Sequence, residues 1–124
     1  MGVVIRADGD VSIVELSGEF TLGRSPVSRP LDLHGHRLDD LGETLRTLLE
    51  RGGSRIVLDL DKVRFFDSAG LGELVAWKKR ALQHGGDVKL LRPQARVRDV
   101  FALTNLTRVF QIFDTEAEAV ASFR

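Results

Sequence analysis

Cysteine is absent from these 124 residues, which excludes disulfides, thiolate chemistry and cysteine-based metal sites. Neither sign of charge is in excess: 18 basic side chains meet 18 acidic ones, for a formal net charge of zero. Without a basic surplus nothing in the composition calls for nucleic acid, and without an acidic tail nothing points to a solvating or calcium-binding role. No apolar run approaches the ~20 residues that a membrane-spanning helix needs. The opening MGVVIRADGD does not read as a secretory signal. Arg6 stands where a myristoylation motif wants Ser or Thr, so lipidation at Gly2 is not expected. With 43% hydrophobic residues and 29% charged ones, the chain suits one compact cytoplasmic domain, residues 1–124, with a single core.

Hydrophobic periodicity orders the chain. Val3 to Ile5 is a short apolar segment and Asp8-Gly9-Asp10 is turn chemistry. Val11 to Leu16 is rich in β-branched residues and completes an N-terminal β-hairpin that Gly18 and Glu19 close. From Leu22 to Arg37 the pattern dissolves, and Pro26 and Pro30 block a helix, so residues 22–37 are expected as an extended loop. Leu38, Leu41, Leu45, Leu48 and Leu49 then fall on one helical stripe, with Asp39 and Asp40 near its start and Gly52-Gly53 past its end. Ile56 to Leu60 reads as a strand buried on both faces. Leu71, Leu74, Val75 and Leu82 line a second helix ending at Gly85-Gly86, with Lys78 inside the stripe, so that either its stem packs while its amine snorkels or the stripe drifts. Val88 to Leu91 is a strand, Pro93 opens a third helix carrying Val97, Val100 and Phe101, Val109 to Phe113 is a last strand, and TEAEAVASF is a final helix. This alternation predicts an α/β fold: a mixed, mostly parallel sheet of about five strands with about four helices.

Chemistry has few places to sit. Ser68 in FFDSAGLGELV lacks the glycine two residues earlier that a nucleophile elbow requires, since position 66 is Phe66. A catalytic base for it would have to come from His34, His36 or His84. His84 ends the same helix, where capping carbonyls is the simpler role. His34-Gly35-His36 has no matching third ligand, so no metal site is expected. Gly70-Leu71-Gly72 lacks both the Lys-Ser/Thr of a P-loop and the third glycine of a dinucleotide fingerprint. The plain reading of Asp67-Ser68 is a helix cap worth about 1 kcal/mol. Gly70 and Gly72 sit awkwardly with it, because each costs roughly 1 kcal/mol against Ala in the first turns. A helix start that gives up stability for bare backbone points to something approaching closely.

DSAGLG after a strand and an aromatic pair, leading a helix that ends in GG, resembles the phosphorylation segment of STAS domains, above all of the stand-alone anti-sigma factor antagonists. SGEF at Ser17 to Phe20, RIVLDLDKVRFFDSAGLGEL, GGDVKLL, ARVRDVFALTNLTRVFQIF and EAEAVASF extend the similarity over essentially the whole chain. The resemblance implies that the protein is not an enzyme. Ser68 would be phosphorylated by an anti-sigma factor serine kinase of the histidine-kinase-like ATPase type, and a PP2C-like phosphatase would restore it. It implies a partner-binding surface of Glu19, Thr21, Asp67, Ala69, Gly70, Leu71 and Gly72, with Leu71 as an apolar contact beside the serine and Asp67 orienting its hydroxyl or keeping the loop acidic. It implies no cofactor of its own, ATP belonging to the kinase, no nucleic acid and no membrane insertion. Thr21 stands where many members carry an acid, and Ala69 replaces a second hydroxyl residue. The loop from Leu22 to Arg37, with Arg24, Arg29 and Arg37, is about a dozen residues longer than in compact members, leaving partner choice or homodimerisation open to it. STAS modules also serve as scaffolds in stress signalling and as accessory subunits of lipid or anion transport, an alternative in which the serine goes unmodified.

Overall fold

The computed structural model describes residues 2–20 and 37–124; the expected loop at 22–37 lies, but for Arg37, outside these residues, and so do His34 and His36. The elements follow as β1 (Gly2–Asp8), β2 (Val11–Phe20), α1 (Arg37–Glu50), β3 (Arg55–Phe66), α2 (Ser68–Gln83), β4 (Asp87–Leu91), α3 (Ala95–Leu103), a 3-10 turn (Leu106–Arg108), β5 (Ile112–Phe113) and α4 (Glu116–Ala121). They build a five-stranded sheet in the order β1-β2-β3-β4-β5. The β1–β2 hairpin is antiparallel and every other pairing is parallel, as the alternation of strands and helices demands.

Period-two alternation splits the interior in two. Val14, Leu16, Ile56, Leu58, Val88 and Leu90 face Leu45 and Leu49 of α1, Leu71, Leu74, Trp77 and Ala81 of α2, and Val97 and Phe101 of α3 in the larger core. Val11, Ile13, Val57 and Leu91 point the other way, where Ala119 and Val120 of α4 cover them. Among the described residues the sheet is therefore lined by three helices on one face and one short helix on the other.

Several elements depart from their sequence-based limits. Strand β2 does not close at Gly18; it continues to Phe20 by absorbing register shifts between Glu15 and Ser17 and between Gly18 and Glu19, with Gly18 at φ 100°. Strand β3 runs on past Leu60 to Phe66, although Asp61, Lys62 and Arg64 interrupt the apolar run, because those charged residues are exposed. At the other end of the sheet Val109 and Phe110 are not strand. Both N–H groups turn back to Leu106 C=O (2.9 and 3.0 Å), and Phe110 packs on Phe101 with ring centroids 6.2 Å apart. In α2 the buried stripe centres on Leu74, Trp77 and Ala81, which leaves Leu82 at its margin and 52% exposed. Lys78 does pack its stem: its amine pairs with Asp87 and sits 5.5 Å from the Phe110 ring centroid.

Candidate functional site

The extension of β3 places the site. Strand β4 pairs with β3 only from Arg55 to Asp59, so among the described strands the last part of β3 pairs with β2 alone, with Glu19 opposite Phe65 and Phe20 opposite Phe66. Two segments far apart in sequence, SGEF and FFDSAGLG, thus meet at the carboxyl ends of the central strands. This is the edge of an α/β sheet where ligands and partners ordinarily bind. The aromatic pair divides by strand alternation. Phe66 is buried beside Phe101 (centroids 6.1 Å apart), while Phe65 stays 40% exposed at the rim.

At Asp67 the chain leaves the sheet (φ −88°, ψ 175°), and its Oδ1 accepts the Gly70 N–H at 2.7 Å. The Leu71 N–H donates to the Asp67 carbonyl at 3.0 Å, closing the first turn. Asp67 is therefore the cap, and its carboxylate is engaged with the backbone in that role. Ser68 becomes the first residue of a 16-residue helix with no acidic side chain in its first turn. The leading N–H groups of an α-helix have no partner within it, and the aligned peptide dipoles make that end positive, so an anion attached at this position meets donors and a favourable field.

The remaining first-turn positions split sharply. Leu71 is 5% exposed and belongs to the core; the apolar contact expected of it beside the serine is made inside the protein instead, because the Leu71-Leu74 stripe is what seats α2 on the sheet. Gly70 is buried as well, its N–H taken by the cap. Gly72 is exposed, and a Cβ built on it meets nothing within 4 Å. No packing reason requires glycine there. The side chains of Glu19, Ser68 and Ala69, and the whole of Thr21, lie outside the described residues. Phe65, exposed at this rim, was not singled out from the sequence; strand alternation sends the two adjacent rings to opposite faces but does not say which face is covered.

Other candidate chemistry is not assembled here. His84 lies at the opposite end of α2, its N–H on the carbonyls of the last turn and its Nδ1 2.9 Å from the Arg80 carbonyl oxygen. Among the described residues no cluster of three or more His, Cys, Asp or Glu side chains can hold a metal ion, and no helix is long and apolar enough to cross a membrane. A cleft of about 470 Å³ between α3 and β5, lined by Arg98, Arg108, Val109 and Ile112 among others, contains none of these site residues. Groups with displaced ionisation also lie elsewhere. Hydrogen bonding to Arg6 holds the Glu116 carboxyl below its usual range, and burial lowers the Lys89 amine.

Comparison with known proteins agrees with this geometry. The family model of the STAS domain matches residues 3–119. A Thermotoga maritima protein assigned as an anti-sigma factor antagonist is 38% identical over 76 residues, 61% of this chain and 67% of its own. The crystal structure of such an antagonist from Thermotoga maritima superposes with a TM-score of 0.76 at 26% identity, covering 98% of this chain and 94% of that one. The phosphorylated form of the Bacillus cell fate determinant SpoIIAA shares the fold, with a TM-score of 0.69 at 21% identity over 99% of this chain and 100% of that one.

Proposed function

Because the chain belongs to the STAS domain family, we propose that it is an anti-sigma factor antagonist switched by phosphorylation at Ser68. In the unmodified state it binds an anti-sigma factor that is itself a serine kinase of the histidine-kinase-like ATPase type, and so releases the sigma factor. The kinase transfers the γ-phosphoryl of its own ATP to Ser68, which ends the binding, and a PP2C-like phosphatase resets the switch. The observation that carries this reading is the start of α2: a serine at the first helical position, beside an exposed backbone at Gly72 that the fold has no use for. Bare backbone costs about 1 kcal/mol of helix stability there, and close approach by a partner gives it a use. Phe65 adds an exposed aromatic surface at the rim, of the kind that anchors interfaces.

The charge change is large enough for a switch. Phosphate adds about −1.5 to −2 charge and oxygens that a docked partner would have to desolvate. Two unit charges 4 Å apart interact by about 4 kcal/mol at an effective dielectric of 20, and each 1.4 kcal/mol is about tenfold in affinity. A partial clash releases the partner. The fold is expected to persist, since the helix terminus tolerates an anion; SpoIIAA, at 21% identity, has been solved in its phosphorylated form. The test is intact mass after incubation with ATP and the cognate kinase, paired with a binding measurement. One added phosphate, absent in Ser68→Ala, and loss of kinase binding on phosphorylation are expected. A Ser68→Ala protein phosphorylated as readily as wild type sinks the assignment.

A further inference from the structure

The sheet has two edges of very different character. Strand β5 is two residues long, and shortness is one of the ways in which proteins blunt an exposed edge. Strand β1 is seven residues long and pairs with β2 without a bulge from Gly2 to Asp8. It contains no Pro and no Lys, and it exposes Val4 (59%) and Ile5 (47%). Among the described residues nothing pairs with its outer side. An edge of this length and composition is a template for another strand.

The hairpin tells which groups that template offers. Asp8 pairs with Val11 across the two-residue loop Gly9-Asp10, with Gly9 at φ 63°. In such a loop the flanking residues form a hydrogen-bonded pair, and bonded and non-bonded pairs then alternate. Gly2, Val4, Arg6 and Asp8 therefore direct their N–H and C=O groups to β2, and Val3, Ile5 and Ala7 direct theirs outward. The same alternation puts Val3 and Ile5 on the face of the larger core, across from Leu16 and Val14, and Val4 and Arg6 on the α4 face.

We propose that β1 is a homodimer edge: a second copy of this chain adds its own β1 antiparallel, across a two-fold axis at Ile5. In that register Ile5 meets the partner's Ile5, Val3 meets the partner's Ala7, and every outward N–H and C=O finds its counterpart. The alternatives fail. An axis at Arg6 sets Val3 against the partner's Gly9, in the turn and outside its strand, one at Ala7 runs the pairing further into that turn, and one at Val4 carries Ala7 past the partner's strand. Arg6 does not repel its mate across the chosen axis, because its guanidinium is already neutralised within its own chain by Glu15 at 2.7 Å and Glu116 at 2.8 Å. Helix α1 contacts β1, and its Leu45 and Leu49 lie in the core on the Ile5 face, so pairing brings the two α1 helices toward one another and adds apolar burial to the strand ladder. Antiparallel addition also places the two α2 N-termini at opposite ends of one continuous sheet, leaving both Ser68 sites free to engage their partners.

Sedimentation of the full chain over a concentration series tests this without reference to any kinase. Wild type is expected to pass from one-chain to two-chain mass. Ile5→Lys, which opposes like charges across the axis, is expected to weaken dimerisation at least about tenfold. Ala7→Pro, which removes an outward N–H that β2 does not use, is expected to do the same with an unchanged circular-dichroism spectrum. Mixing Ile5→Lys with Ile5→Glu should restore the two-chain mass, because only a self-pairing Ile5 brings those substitutions together. A wild type that stays at one-chain mass overturns the proposal, even if it captures a strand of another protein. So does an Ile5→Lys protein that dimerises as tightly as wild type.

Discussion

Helix α2 begins and ends with a pair of glycines, and Gly72 and Gly86, one from each pair, do opposite things. At the far end Gly85 adopts φ +86°, and a Cβ on Gly86 would overlap the carbonyl oxygen of Ser54 at the mouth of β3. The Asp87 N–H also donates to that same carbonyl at 3.0 Å, so the backbone has nowhere to retreat. At the near end Gly72 has open space around it. One glycine is demanded by the packing of the fold; the other is declined by it. A residue that the fold would improve by replacing is evidence of a second demand on the sequence.

Four substitutions sharpen or break that contrast. Gly86→Ala is expected to cost about 3 kcal/mol or more, because the new methyl group meets backbone and not a flexible side chain; a denaturant midpoint near that of wild type would show that the turn relaxes. Gly72→Ala should stabilise the protein by about 1 kcal/mol while weakening kinase binding. If it stabilises and leaves binding untouched, the near-end glycine has no partner to serve. Asp67→Ala removes the cap and should lose about 1 kcal/mol, measured by urea unfolding. A control away from both ends uses Lys89, whose amine lies 2.8 Å from Ser122 Oγ and 4.3 Å from the Phe123 ring centroid. Lys89→Met should cost less than about 1 kcal/mol at neutral pH. Burial holds the folded-state pKa of Lys89 below its ordinary 10.5. The unfolded chain then binds more protons in the window between those two values, and stability rises with pH across it. In Lys89→Met that alkaline rise should vanish.

Much of the architecture was legible because it follows from periodicity. The hairpin, the alternation of strands and helices and the stripe through Leu45, Leu48 and Leu49 needed only the spacing of apolar residues. What escaped was set by tertiary context. Asp61, Lys62 and Arg64 hid the extension of β3, since a strand that leaves the body of the sheet is free to carry charge on its exposed positions. Phe110 looks like strand sequence and is a core plug, because its ring is claimed by Phe101. At the candidate site, the motif located Asp67 to Gly72 correctly as the start of a helix. It could not say which of these side chains look outward. Leu71, expected at the surface beside the serine, is buried, and Phe65, for which no role was expected, is exposed; both follow from how β3 and α2 seat on the core.

The lopsided layering of the sheet has a consequence for how the molecule breathes. Among the described residues Ile13, Val57 and Leu91 are shielded by one six-residue helix together with Phe113 and Phe123, and the polar attachments of this end of the chain include Arg6 to Glu116 and Lys89 to Ser122. Helices of that length have no independent stability in water. Amide exchange should therefore be fastest in α4 among the helices from α2 onward, through an opening that leaves the larger core intact. Each such opening briefly bares a strip of β-branched and leucine side chains, so association at high concentration is expected to start from the opening of this helix rather than from global unfolding.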